Sequence, residues 1–73
     1  MNELERKRVG ETLRQLRLKN NLTLKEVADR IGKTPKTVQL YETTNTTISL
    51  DVIIILCHTY GVSVDELLNS AGI

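Results

Sequence analysis

Residues 23–42 read TLKEVADRIGKTPKTVQLYE, and this stretch carries two helical signatures with almost nothing between them. Thr23, followed three residues later by Glu26, is a capping box in which each side chain satisfies a backbone N–H at the start of a helix. Leu22, just before the cap, is placed as a staple against Val27. Val27, Ala28 and Ile31 then recur at helical spacing, and Gly32 supplies the turn conformation that stops the helix. The next helix restarts at once. Thr34 is its cap, Pro35 takes the first helical position where a missing N–H costs nothing, and Val38 and Tyr41 face inward. Two helices joined through Ile31-Gly32-Lys33-Thr34 cross at a steep angle, which is the helix-turn-helix arrangement. Ala28 is small where the following helix must cross close by, and Val27, Ile31, Val38 and Tyr41 lock the pair. The outer face of the second helix, with Lys36, Gln39 and Leu40, is left free, and in such a motif that face enters a major groove.

The flanking residues extend the same pattern. Val9, Leu13 and Leu16 form one stripe of a helix from about Leu4 to Lys19, which Asn20-Asn21 breaks. Thr43-Thr44-Asn45-Thr46-Thr47 is a polar tract of poor helix propensity and reads as a loop. Ser49 or Ile48 starts a fourth helix, with Leu50, Ile53, Leu56, Cys57 and Tyr60 as its expected buried face and Gly61 at its end. Ser63 with Glu66 caps a fifth, carrying Val64, Leu67 and Leu68. Period-2 alternation is scarce, so the expected fold class is all-α: five short helices around one core, residues 1–73 as a single domain, with the helix-turn-helix at about 24–43.

Size and charge narrow the function. A chain of 73 residues holds one small core. All ten basic side chains lie in residues 1–36 with five acids, a sum of +5; residues 37–73 hold four acids and no Lys or Arg, a sum of −4. A positive face on a small protein points to a polyanion, most often nucleic acid, whereas scattered solvating charge is the plainer alternative. The apolar run Val52 to Cys57 is too short to span a membrane. Met1 is followed by charged residues, so no signal peptide is expected and the expected location is cytoplasmic. Cys57 alone forms neither an internal disulfide nor a thiolate cluster, and it reads as a core residue. His58 lacks partners for a metal site, so no metal and no cofactor are expected. Nothing resembles a nucleophile–histidine–carboxylate set or a phosphate-cradling glycine loop, so the chain is not expected to be an enzyme.

The segments VGETLRQLRLKNNLTLKEVADRIGKTPKTVQLYE (9–42) and SLDVIIILCHTYGVSVDELL (49–68) resemble the lambda-repressor-like domain of the Cro/CI, or XRE, family. The resemblance covers nearly the whole chain. It implies a compact five-helix DNA-binding domain, a transcriptional regulator that binds a pseudo-palindromic operator as a homodimer, and a recognition helix at about 34–42. Arg17 and Glu42 match the family's arginine–glutamate pair tying the recognition helix to helix one, a structural ion pair. Pro35, Lys36, Thr37 and Leu40 stand where the family reads base edges, Leu24 where several members place a phosphate-contacting glutamine, and Thr43, Thr44 and Asn45 where polar side chains approach the duplex backbone. Lys25 and Lys33, with Thr34, lie near the two helix N-termini, whose dipoles favour anions. The sequence departs from the pattern in places. Leu24 has no side-chain donor, Pro35 and Leu40 are apolar, and the usual glycine after the recognition helix is missing. Lys36 and Gln39 therefore remain as the polar readers.

Two features stand outside this scheme. Arg6-Lys7-Arg8 reads either as a phosphate-binding arm or as a solvated helix start. Val52 and Ile55, on the face expected to be exposed, together with Ile73 at the chain end, form a candidate dimer or partner contact, unless a slight rotation of the helix buries them. The alternative function is accordingly a protein-interaction or antitoxin-like module on the same scaffold, with weak or no operator reading.

Overall fold

The computed structural model describes residues 1–73 and consists of α1 (Glu3–Lys19), α2 (Leu24–Ile31), α3 (Pro35–Thr43), α4 (Leu50–Tyr60) and α5 (Val64–Ser70). Each start has a local cause. Asn2 with Glu5, Thr23 with Glu26 and Ser63 with Glu66 form reciprocal capping boxes at α1, α2 and α5, while Thr34 and Ser49 cap α3 and α4 singly. The ends are equally explicit. Gly32 and Gly61 take φ of 71° and 70° after α2 and α4, a region where a Cβ is costly, and Asn21 at φ 56° does the same after α1.

The apolar faces meet in one core of Val9, Leu13, Val27, Ala28, Ile31, Val38, Tyr41, Val52, Leu56, Cys57, Tyr60, Leu67 and Ala71. Leu22 packs against it from the position expected of a staple. Within this arrangement α3 lies on α1 and α2, α4 packs on α2 and α5, and α5 returns to α1. Helices α1 and α3 cross closely at Gly10: a methyl group there would lie 2.8 Å from the Tyr41 carbonyl oxygen and 2.9 Å from that of Glu42. At the same crossing Arg17 grips Glu42 with two bonds, Nε to Oε2 at 2.8 Å and Nη2 to Oε1 at 3.1 Å, and its third nitrogen donates to the Leu22 carbonyl at 3.0 Å. That hydrogen bond to Glu42 raises the Arg17 pKa.

The face of α4 differs from the one expected. Leu50 is 68% exposed and Val52 only 7%, so Leu50 leaves the buried set and Val52 enters it; Ile53 is half-buried. Val52 shares the side of Leu56, which faces the core, and is therefore not available as a partner contact. Leu50 shares the side of Cys57 but projects from the first turn, where no element covers it. One further boundary moves: Thr43 belongs to α3 instead of opening the loop.

Candidate nucleic-acid interface

What anchors α3 determines what it offers. Val38, Tyr41 and Glu42 are buried beneath it, and at 3.6 residues per turn this leaves Lys36, Gln39 and Thr43 as one outer stripe. All three are exposed, as are Pro35, Thr44 and Asn45; Thr37 and Leu40 are half-buried at its margins. The stripe is ordered locally. Lys36 Nζ approaches Gln39 Oε1 at 3.4 Å, and the Thr43 hydroxyl donates to the Gln39 carbonyl at 2.8 Å. At the other end the Thr34 hydroxyl accepts from the Thr37 N–H at 3.2 Å and lies 2.9 Å from the Thr37 hydroxyl.

The flanks are cationic but unequal. Lys33, in the turn, is exposed. Lys25 is exposed as well but pairs with Asp29 at 3.0 Å, which weakens its attraction for an anion without removing it. Leu24 is half-buried and packs on the core, so the side chain matched to a phosphate contact is engaged in packing and leaves only backbone at that position.

Sequence reasoning missed what closes the exit of α3, where the family's glycine is absent. The Leu40 carbonyl accepts from both the N–H and the hydroxyl of Thr44, at 3.0 and 2.7 Å. Arg6, reaching across from α1, donates through Nη2 to the Tyr41 carbonyl at 3.0 Å and through Nε and Nη2 to the Thr46 carbonyl at 3.0 and 2.8 Å. Burial lowers the Arg6 pKa. No basic residue stands in the last turn of α3 itself. Arg6 thus places a cation at the negative end of the helix from another element. The run Arg6-Lys7-Arg8 therefore divides in three: Arg6 is buried as a clamp, Lys7 lines a cleft with Glu3, Thr43, Thr44 and Asn45, and Arg8 lines a different one with Glu11, Gln15 and the end of α5. No local signal in the sequence distinguishes these three fates.

A buried-backed helix with a polar outer stripe, preceded by a second helix through a tight glycine turn, defines a helix-turn-helix DNA-binding protein. The Helix-turn-helix family model matches residues 13–67, well over half of the chain, and the chain belongs to that family, in its Cro/CI type. It is similar to the clp gene regulator ClgR from Corynebacterium glutamicum in two crystal structures, 28% identical in each. One gives a TM-score of 0.87 over 93% of this chain and 87% of that one. The other gives 0.88 over 93% and 72%. No curated protein matches the chain. No helix is long and apolar enough to cross a membrane.

Proposed function

We propose that residues 1–73 act as one helix-turn-helix domain of a cytoplasmic, non-catalytic transcriptional regulator that reads a specific DNA sequence and represses by occupying it. The observation that carries this reading is the outer stripe of α3, Lys36, Gln39 and Thr43 exposed over a buried inner side. In a major groove Lys36 donates to guanine O6 and N7, and Leu40 packs on a thymine methyl. Lys33, Lys25 and the N-termini of α2 and α3 hold phosphates, which position the domain without specifying sequence. Likeness to a gene regulator supports the same assignment.

The operator is pseudo-palindromic and the active species a homodimer. Half-sites on one face of B-DNA lie about 34 Å apart, more than the 28 Å longest extent of the chain, so reading two of them takes two copies. The apolar side chains available for that contact are Ile55, Leu50 and Ile54 on α4 and Ile73 beyond α5, all exposed. Those same side chains favour the second reading, a module that docks on another protein. Gel-shift titration against the DNA flanking its own coding region tests the first. Lys36→Ala is expected to weaken binding by about 1–3 kcal/mol and to relax preference at one base position. Unchanged affinity and preference remove Lys36 as a reader, and absence of any binding to duplex leaves the protein-docking reading.

A further inference from the structure

We propose that the outward side of α4 takes the same side of a second copy running antiparallel to it, with Asp51 of each chain set against His58 of the other. The inference rests on the homodimer reading and gives that dimer its register. At 3.6 residues per turn, Asp51, Ile54, Ile55 and His58 form one stripe, opposite the side that carries Leu56, Cys57 and Tyr60 into the core. All four are exposed. Ile54 and Ile55 keep 50% and 41% of their surface in water, and Leu50, at 68%, stands beside them.

The stripe reads Asp-x-x-Ile-Ile-x-x-His, matched in position and opposite in charge about its midpoint. Asp51 and His58 are two turns apart, about 10 Å along the helix. A two-fold axis crossing between Ile54 and Ile55 turns one copy end for end. The isoleucines of both chains then gather at the centre, and each Asp51 comes level with His58 of the other chain. Packed helices lie about 8–10 Å apart, a gap that aspartate and histidine side chains close between them. A parallel pairing would instead set acid on acid and imidazole on imidazole. A closed dimer needs a patch that complements itself, and the antiparallel register of this stripe supplies one.

The pairing carries a pH signature. Histidine gains its charge between pH 5 and 8, a range in which aspartate is ionised. The helices packed against α4 bring further charged groups: Lys25, Glu26, Asp29 and Arg30 on α2, and Asp65 and Glu66 on α5. Neither ion pair of the chain, Arg17–Glu42 or Lys25–Asp29, involves His58. Protonation of His58 therefore adds a charge that Asp51 of the other copy can meet. With His58 neutral, Asp51 has no counter-charge across the contact.

The test is sedimentation equilibrium of the whole chain at pH 5.5 and pH 8. Association is expected to strengthen about 2- to 30-fold at the lower pH, the worth of two exposed ion pairs per dimer. Added salt is expected to weaken it at pH 5.5 and to strengthen it at pH 8. Asp51→Lys and His58→Glu each set like charges against one another at pH 5.5 and are expected to associate more weakly than the wild type. An equimolar mixture of the two variants restores opposite charges at both ends of the contact, and is expected to associate more tightly than either variant alone. Both positions are exposed, so neither change disturbs the core. A wild-type dimer indifferent to pH, or a mixture no tighter than its parents, overturns the antiparallel register and leaves the homodimer standing. A wild type that stays monomeric at both pH values overturns both.

Discussion

At the scale of single residues, Gly10 shows why a helix-breaking residue belongs inside a helix. Alanine there would favour α1 by up to about 1 kcal/mol, yet its methyl group would press on the carbonyls of Tyr41 and Glu42, both backbone, at 2.8 and 2.9 Å. Overpacking against atoms that cannot step aside costs about 1–3 kcal/mol. Gly10→Ala is therefore expected to destabilise, read as a lower urea midpoint with an unchanged m-value, and a stabilised variant would show that α3 yields freely. The pair below it behaves differently. Arg17 and Glu42 are buried with bidentate geometry, so Arg17→Ala strands a carboxylate beside the core and is expected to cost about 3 kcal/mol. A double replacement by apolar residues should recover much of that loss in the same urea titration. Arg17–Glu42 was legible because two residue types at matching family positions mark it. Gly10 was not read, although an isolated glycine within the Val9–Leu13–Leu16 pattern is a signal of close packing. Arg6 was not legible at all, because its partners are carbonyls thirty-five and forty residues away.

Among the elements, α2 and α5 were the easiest to read and α4 the hardest, for one physical reason. Capping boxes and sparse apolar residues give α2 and α5 a single possible phase, whereas Val52-Ile53-Ile54-Ile55-Leu56-Cys57 is apolar all round and periodicity cannot choose its buried side. The structure chooses Val52 and releases Leu50 and Ile54, at 7%, 68% and 50% exposure. Val52→Ala is accordingly expected to lose about 2 kcal/mol of stability through the cavity it leaves. Ile54→Ser should change stability by less than about 0.5 kcal/mol while weakening self-association in sedimentation equilibrium. If Ile54→Ser leaves self-association untouched, the contact between copies lies elsewhere. The capping box of α2 carries a pH signature as well. Hydrogen bonds from the backbone and side chain of Thr23 lower the Glu26 pKa. Its contribution is thus present above the ordinary glutamate value, about 4.3, and is lost as pH falls through the depressed folded value. Protection factors for the amides in the first turn of α2, taken relative to intrinsic exchange at each pH, are expected to fall on acidification over that range, and Glu26→Gln should abolish the dependence.

Over the whole molecule the uneven charge of the sequence becomes a division of labour. Lys7, Lys33 and Lys36 are exposed around α3, while the exposed acids Asp51, Asp65 and Glu66 accompany the apolar side chains Leu50, Ile54 and Ile55 on α4 and α5. The two activities proposed for these regions therefore respond to salt in opposite senses. DNA binding releases counterions, and two phosphate-pairing lysines per copy, Lys25 and Lys33, give a dimer a slope of log K against log salt near −4, about twice that for a single copy. Self-association buries apolar surface between acidic neighbours, so added salt screens the repulsion and strengthens it. Operator occupancy at fixed protein concentration is expected to fall less steeply than affinity measured for a preformed, covalently linked dimer, because salt assembles the species whose binding it weakens. Anisotropy on the operator and sedimentation equilibrium over one salt series separate the two effects. A self-association constant that falls with salt would mean that ion pairs join the copies, and the apolar face of α4 would then be free for another protein.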